Sequence, residues 1–194
     1  LREHFEKEGF SDSTWLSLKS GFKSRIHKHQ DDLSICLYSK GFDIFIDAGM
    51  YNFMYGDKLN HYMESVAAHT TVGIMGKSYS IARNNGELFT IQQVTQGDDY
   101  DYVLASSRVY PDCAIYRHLF YFRQKNIIII CDEIHSGKIQ DFVQYFHLSP
   151  DLKALSLGKD RSVFQIGNSG YSAVIKQLEP VKKSLFYPVP ELTQ

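Results

Sequence analysis

The sequence has 194 residues, of which 43% are hydrophobic, and its 21 lysines and arginines nearly balance its 22 aspartates and glutamates. This balance excludes a nucleic-acid-binding protein that works through a basic field. The longest apolar run, residues 127–131, is far shorter than the roughly 20 residues of a membrane-spanning helix, so we expect no membrane partner. A chain of this length buries enough surface for a full core, and we expect one domain over residues 1–194.

Short apolar and aromatic segments, separated by Gly, Asn and Asp, predict a chain made mainly of β-strands. In chain order, the predicted strands cover residues 14–18, 33–38, 43–47, 70–75, 79–82, 88–94, 100–105, 116–123, 126–134, 142–147, 162–166 and 172–177. Residues 57–66 are predicted as a short helix or a long loop. Because no helical pattern separates the strands, we predict an all-β fold, an antiparallel β-sandwich.

The densest polar segment precedes the first predicted hairpin and contains His29. With a turn at Lys40-Gly41, Ser34 faces Asp47, which places Asp47 at the same end of the hairpin as His29. His69 lies at the start of another strand. Two imidazoles and a carboxylate are a common zinc-binding set, but the same residues also occur as ordinary loop and turn residues.

His27 lies two residues before His29, so the two side chains share one side of an extended segment. Histidine titrates near neutral pH, which makes His27 a candidate general acid or base. The alternative is an ordinary surface histidine.

Six segments occur together in an order and spacing that resemble those of the heparinase II/III-like polysaccharide lyases. They are HKHQDDLS at 27–34, GFDIFIDAGMY at 41–51, AAHTTV at 67–72, YRHL at 116–119, IICDE at 129–133 and FHL at 146–148. Two positions depart from the family's usual pattern. Thr70 stands where Asn is usual, and Ala48 stands where Pro is usual.

The resemblance implies that the chain is the C-terminal β-sandwich of a larger protein, preceded by a helical toroid. It assigns the family's metal ligands, most often for zinc, to His29, Asp47 and His69, and its cleft histidine to His27. A substrate-facing tyrosine of the sandwich corresponds to Tyr51 or Tyr55. The metal would be structural, and the active site would lie between the toroid and the sandwich.

The implied activity is β-elimination on an acidic polysaccharide that contains uronic acid. The proton-transferring tyrosine and the residue that neutralises the uronate would belong to the missing toroid, so we expect this chain to be inactive alone. Asp31 and Asp32 would orient a ligand imidazole, or would form a solvated acidic pair. The family suggests the bacterial periplasm or exterior, or an envelope or cytoplasmic role in polysaccharide processing.

Two alternatives compete with this interpretation. A metal cupin shares the spacing from Gly21 to the HKH segment, but the expected glutamate is missing near Ser34. The second alternative is a non-catalytic sandwich that binds carbohydrate or packs against another domain.

The aromatic residues between the second and third segments would stack on sugars or belong to the core. Arg117 and His118 are neighbours on a strand, so at most one of them faces a given cleft.

Overall fold

The computed structural model describes residues 9–22, 24, 26–54, 56–81 and 86–187. Within these residues the chain forms antiparallel strands and one α-helix, α1 (Lys58–Glu64), which confirms the all-β prediction. The strands are β1 (Trp15–Lys19), β2 (Ser34–Ser39), β3 (Phe42–Phe45), β4 (Val72–Ile74), β5 (Phe89–Gln96), β6 (Tyr100–Ser107), β7 (Cys113–Phe122), β8 (Ile127–Ser136), β9 (Phe142–Gln144), β10 (Leu152–Ser156), β11 (Arg161–Ile166) and β12 (Ser172–Lys176).

The strands form a sandwich whose core lies between several small sheets. The sheets have the strand orders β1-β2-β3, β5-β6-β7-β8 and β10-β11-β12, and β4 pairs with β9. One buried cluster joins the first three sheets, with Leu16, Ile35, Leu119 and Ile166 among its members. A second cluster joins β4 to the inner face of β6 and β7. The three cysteines are free.

The first hairpin turns as predicted but has a different register. Lys40 and Gly41 both have positive φ, 56° and 88°, the arrangement that a two-residue turn between twisted strands requires. Ser39 pairs with Phe42, but a bulge after Leu37 moves the partner of Leu37 to Phe45, where β3 ends. The predicted pairing of Ser34 with Asp47 is therefore wrong, since Asp47 lies beyond the strand.

Two other predictions differ from the structure. Residues 79–81, the described part of a predicted strand, form no strand. The apolar signal there comes from Tyr79, whose side chain packs against Asp32 and Tyr110. Its hydroxyl donates to Asp32 at 2.8 Å, and its ring contacts the Tyr110 ring edge-on at 5.6 Å between centroids. The sequence pattern does not predict β10, because its mostly exposed side chains lack the apolar alternation of a half-buried strand.

The arginine on the inner face of β7 links the sheets through polar contacts. β7 alternates strictly between buried and half-buried residues, and Arg117 falls in the buried phase at 1% exposure. Its guanidinium donates two hydrogen bonds of 2.7 Å to the carboxylate of Asp132 on β8. It also donates to the carbonyls of Leu33, at 2.7 Å, and Thr70, at 3.5 Å. One side chain therefore holds β8 and the segments before β2 and β4.

We predict that Arg117→Met lowers the free energy of unfolding by about 3–5 kcal/mol, because it leaves the Asp132 carboxylate buried without its cation. Urea unfolding followed by circular dichroism measures the change. The control is Lys138→Met, since Lys138 forms an exposed ion pair of 3.2 Å with Asp112. That pair should be worth about 1 kcal/mol or less. Equal losses in the two variants would contradict the role of Arg117.

Candidate functional site

Two of the predicted metal ligands meet directly, and the third lies beside them. His69 is 0% exposed, and its Nδ1 atom lies 2.8 Å from Oδ2 of Asp47. The backbone N–H of Gly49 donates to the other carboxylate oxygen of Asp47 at 3.1 Å. The ring of His29 lies 5.4 Å from that of His69 between centroids, and His29 is 9% exposed. The structure thus joins Asp47 to His69 rather than to His29.

A second carboxylate lies near the two histidines. Among the described residues, His29, Asp31 and His69 form one group whose ligand atoms all lie within 4.8 Å of one another. Both oxygens of Asp31 are already paired with cations, one with Lys28 at 2.7 Å and the other with Lys19. Asp31 therefore neutralises the ammonium groups of Lys19 and Lys28 next to His29.

Lys28 connects the two neighbouring aspartates. Its side chain is only 6% exposed, and its ammonium also lies 2.8 Å from Asp32. Both aspartates are 5% exposed, so the solvated acidic pair is ruled out. Asp32 accepts from Lys28 and Tyr79 rather than from an imidazole.

Burial and charge shift the pKa values of this group. Burial opposes ionisation of Asp31, yet the hydrogen bonds from Lys19 and Lys28 hold its pKa below the usual value. Burial raises the pKa of Asp32 despite the same Lys28 ammonium. Burial and the neighbouring His69 lower the pKa of His29. Neutral imidazole is the form of histidine that binds metal.

Thr70 and His147 complete the framework around His69. The Thr70 hydroxyl accepts from the backbone N–H of His147 at 2.9 Å and donates to the carbonyl of Ile46 at 3.4 Å. The carbonyl of His147 in turn accepts from the Ile46 N–H at 2.9 Å. Thr70, one of the two departures from the usual family pattern, therefore ties the Asp47 segment to the segment after β9.

The donor set fits a divalent metal. Two buried histidine nitrogens, Nε2 of His69 and Nδ1 of His147, have no hydrogen-bond partner among the described residues. An unpartnered buried nitrogen is costly unless a ligand or water satisfies it. Burial and the neighbouring His69 lower the pKa of His147, which keeps this imidazole neutral too. Imidazoles beside a carboxylate are the ligands that zinc prefers.

His27 lies at the exposed edge of this group. Its φ of 58° places it in the left-handed region, which is uncommon for a residue other than glycine. Its ring contacts Phe53 edge-on at 5.4 Å between centroids. Backbone strain of this kind occurs often at functional sites.

The loop before α1 presents aromatic side chains to solvent. In this loop Tyr51 is 53% exposed and Phe53 72%, and Tyr62 of α1 is 48% exposed, so of the two alternatives for these residues the core is excluded. Asp57 caps α1 by accepting from the backbone N–H of Leu59 at 2.8 Å. Tyr55, the other candidate for a substrate-facing tyrosine, lies outside the described residues.

Sequence reasoning assigned no role to Arg117 or His147, and it did not find the lysine partners of Asp31. Arg117 supports the carbonyls of Leu33 and Thr70, and His147 and Asp31 flank the two predicted histidine ligands. One signal was available for Arg117, namely a charged residue in the apolar phase of a strictly alternating strand. His118, its neighbour, lies on the opposite face, as the strand alternation predicted. His147 falls in the matching segment at 146–148, but nothing in the sequence indicates its proximity to His69, which arises only through tertiary packing.

Comparison with known proteins decides the family. Residues 5–180 match the family model described as heparinase II/III-like, C-terminal. The chain belongs to this family. A search of the curated proteins finds no significant relative.

Solved structures share the fold. The heparan sulfate lyase HepC from Pedobacter heparinus superimposes with a TM-score of 0.78 at 18% identity, over 94% of this chain and 28% of that chain. Heparinase III, the BT4657 gene product, gives 0.71 at 16% identity, over 85% of this chain and 24% of that chain. The chain thus spans roughly a quarter of the length of these two structures. In the part of the chain that the structure describes, no helix is long and apolar enough to cross a membrane.

We predict that Lys28→Met lowers the free energy of unfolding by about 3–5 kcal/mol at neutral pH, because two buried carboxylates lose their shared cation. The loss should shrink as the pH falls below the ordinary Asp range. The pKa of Asp31 is lowered in the folded state, so its stabilising contribution is present above that range and disappears on acidification. Urea unfolding at neutral pH and near pH 3 measures both effects.

The matched control for this prediction is Lys19→Met. Lys19 contacts the same carboxylate, but its side chain is 53% exposed, so its loss should cost about 1 kcal/mol or less. A loss for Lys28→Met that stays constant across the pH range would contradict the ion-pair explanation.

Proposed function

We propose that this chain is the β-sandwich part of a polysaccharide lyase that cleaves an acidic, uronic-acid-containing polysaccharide by β-elimination. The observation that carries the proposal is the position of His27, exposed and in a left-handed conformation next to the buried His29 and His69 and the more exposed Asp47, in a chain of the heparinase II/III-like family. The structural neighbour HepC, a heparan sulfate lyase, supports an acidic polysaccharide as the class of substrate.

The chemistry sets the requirements of the site. The C5 proton of a uronate is very weakly acidic, so its removal needs a base and a group that neutralises the carboxylate. Departure of the glycosidic oxygen needs a proton donor. In the proposed site His27 contacts the substrate from the sandwich side, and Tyr51, which is exposed two residues before the Phe53 that contacts His27, is the candidate tyrosine. The remaining groups belong to a helical toroid domain of the full-length protein.

The proposed metal ligands are His29, Asp47 and His69, and zinc is the first candidate. Asp47 is preferred to Asp31 as the carboxylate ligand, because both oxygens of Asp31 are paired with lysine ammonium groups, whereas those of Asp47 contact His69 and the backbone N–H of Gly49. A bound zinc ion would supply structural cross-linking between the His27–His29 segment, the end of the first hairpin and the segment before β4. His27 itself keeps its orientation through this framework and through the contact with Phe53.

The metal proposal predicts about one equivalent of zinc in the purified chain, and weaker zinc binding in His29→Ala, His69→Ala and Asp47→Asn. Zinc should raise the melting temperature of the wild type, because a ligand that binds only the folded state stabilises it. The measurements are elemental analysis and thermal unfolding with and without zinc.

Two controls accompany the metal test. His61→Ala removes an exposed histidine of α1 and should leave the zinc content unchanged. Asp31→Asn should reduce stability but retain zinc. Equal zinc content in the wild type and all ligand variants would contradict the metal site. Loss of zinc in Asp31→Asn with retention in Asp47→Asn would show that Asp31, and not Asp47, is the carboxylate ligand.

The activity proposal predicts that this chain alone does not catalyse elimination, and that His27→Ala in the full-length protein lowers turnover by about 10²–10⁴-fold, the range typical of one positioned acid or base. The assay follows the unsaturated uronate by its absorbance near 230 nm. His61→Ala is the matched control. Product formation by this chain alone would place the active site elsewhere. Unchanged turnover in His27→Ala would make His27 a surface histidine and favour a non-catalytic binding domain.

A further inference from the structure

The outer face of the β5-β6-β7-β8 sheet carries a continuous group of rings, which we call the aromatic row. Its members are Tyr100 and Tyr102 of β6 and His118, Phe120 and Phe122 of β7. Their ring centroids lie 5.5 Å apart for Tyr100 and Phe122, 4.7 Å for Tyr102 and Phe120, and 6.1 Å for Tyr102 and His118. The inner face of the same strands forms the core, so this sheet is apolar on both faces.

The aromatic row is accessible and leads to polar groups. Tyr100 is 40% exposed, and the other four rings are half-buried. The Tyr102 hydroxyl lies 2.9 Å from Nδ1 of His118, whose Nε2 lies 3.5 Å from Glu133. Such fixed donors and acceptors between exposed rings suit a ligand that has both apolar faces and hydroxyl groups.

The polar end of the row favours an anionic ligand. Arg108 is exposed and donates to the Tyr116 hydroxyl at 3.3 Å. Among the described residues of the four strands, Glu133 is the one carboxylate on this face, and it is held by His135 at 2.6 Å as well as by His118. The carboxylates of Asp101 and Asp132 lie on the inner face, where arginines pair with them.

Arg108 also links the row to the candidate site. A recess of about 750 Å³ at this end of the sheet is lined by Arg108, Asp112, His135 and Ser136, among others, and the Asp112 carboxylate is paired with Lys138 at 3.2 Å. A second recess of about 460 Å³ is lined by Arg108, Phe89 and Lys28, which lies next to His27 and His29. Arg108 therefore lines both recesses, one beside Lys28 and one at the polar end of the sheet.

We infer that the aromatic row and Arg108 form a second binding site for the acidic polysaccharide, separate from the proposed catalytic site. Pyranose rings stack by their C–H faces on the row, and a carboxylate or sulfate group of the chain pairs with Arg108. From Phe122 to Tyr116 the site extends about 20 Å along β7, enough for several sugar units. This inference rests on the proposed function for the class of ligand.

The test measures binding of heparan sulfate oligosaccharides to this chain by calorimetry, with neutral dextran as the comparison ligand. Tyr102→Thr combined with Phe120→Thr should weaken binding by about tenfold or more, since one lost stacking contact is worth of the order of 1 kcal/mol. Arg108→Gln should weaken binding of heparan sulfate and lower its dependence on salt concentration. Tyr171→Thr, which removes a tyrosine that is 51% exposed between β11 and β12, should bind as the wild type does.

Several outcomes would overturn the inference. Equal binding in the wild type, the double variant and Arg108→Gln would do so, as would equal affinity for dextran. If sedimentation shows a wild-type dimer that the double variant dissociates, the row is an interface between copies of this chain. If the double variant does not fold, Arg108→Gln and the exposed His135→Gln decide the question. If the wild type does not bind heparan sulfate at the aromatic row but the full-length protein still catalyses elimination, the second site alone is wrong. If the full-length protein does not catalyse elimination, the proposed function is wrong.

Discussion

The buried Arg117 to Asp132 ion pair is the interaction on which the geometry of the candidate site depends. A guanidinium in an apolar interior is tolerated only when its donors are satisfied, and here a bidentate carboxylate and two backbone carbonyls satisfy them. Those carbonyls belong to Leu33 and Thr70, which follow the segments that carry His29 and His69. By donating to both carbonyls, the Arg117 guanidinium holds the two histidine segments at a fixed separation.

The site above this pair is a compact set of charges that compensate one another. Lys28 lies between Asp31 and Asp32, and Asp47 lies against His69. Burial and the neighbouring His69 lower the pKa of His29 and of His147, and buried nitrogens of His69 and His147 have no hydrogen-bond partner among the described residues. Among these residues, His29, Asp47 and His69 would hold the proposed metal. His27 and the exposed loop residue Phe53 lie in contact beside them.

The two faces of the four-stranded sheet have separate roles. Its inner face supports the candidate site through Arg117, and its outer face carries the aromatic row. Strand alternation makes this division possible, because neighbouring residues such as Arg117 and His118 point in opposite directions. One strand can therefore stabilise the proposed catalytic site and present a separate surface for a polysaccharide.

The sequence by itself determined the strand-rich fold, the first hairpin turn and the histidine and aspartate residues that meet at the site, because these follow from local alternation, turn chemistry and matching segments. It left residues 57–66 open between a short helix and a long loop. Only the tertiary structure decided the partners of these residues. A bulge after Leu37 ended the predicted register, Asp47 paired with His69, and Asp31 paired with lysines. His147 and Arg117 joined the site from segments distant in sequence. Such contacts depend on how sheets pack, and packing depends on the whole chain at once.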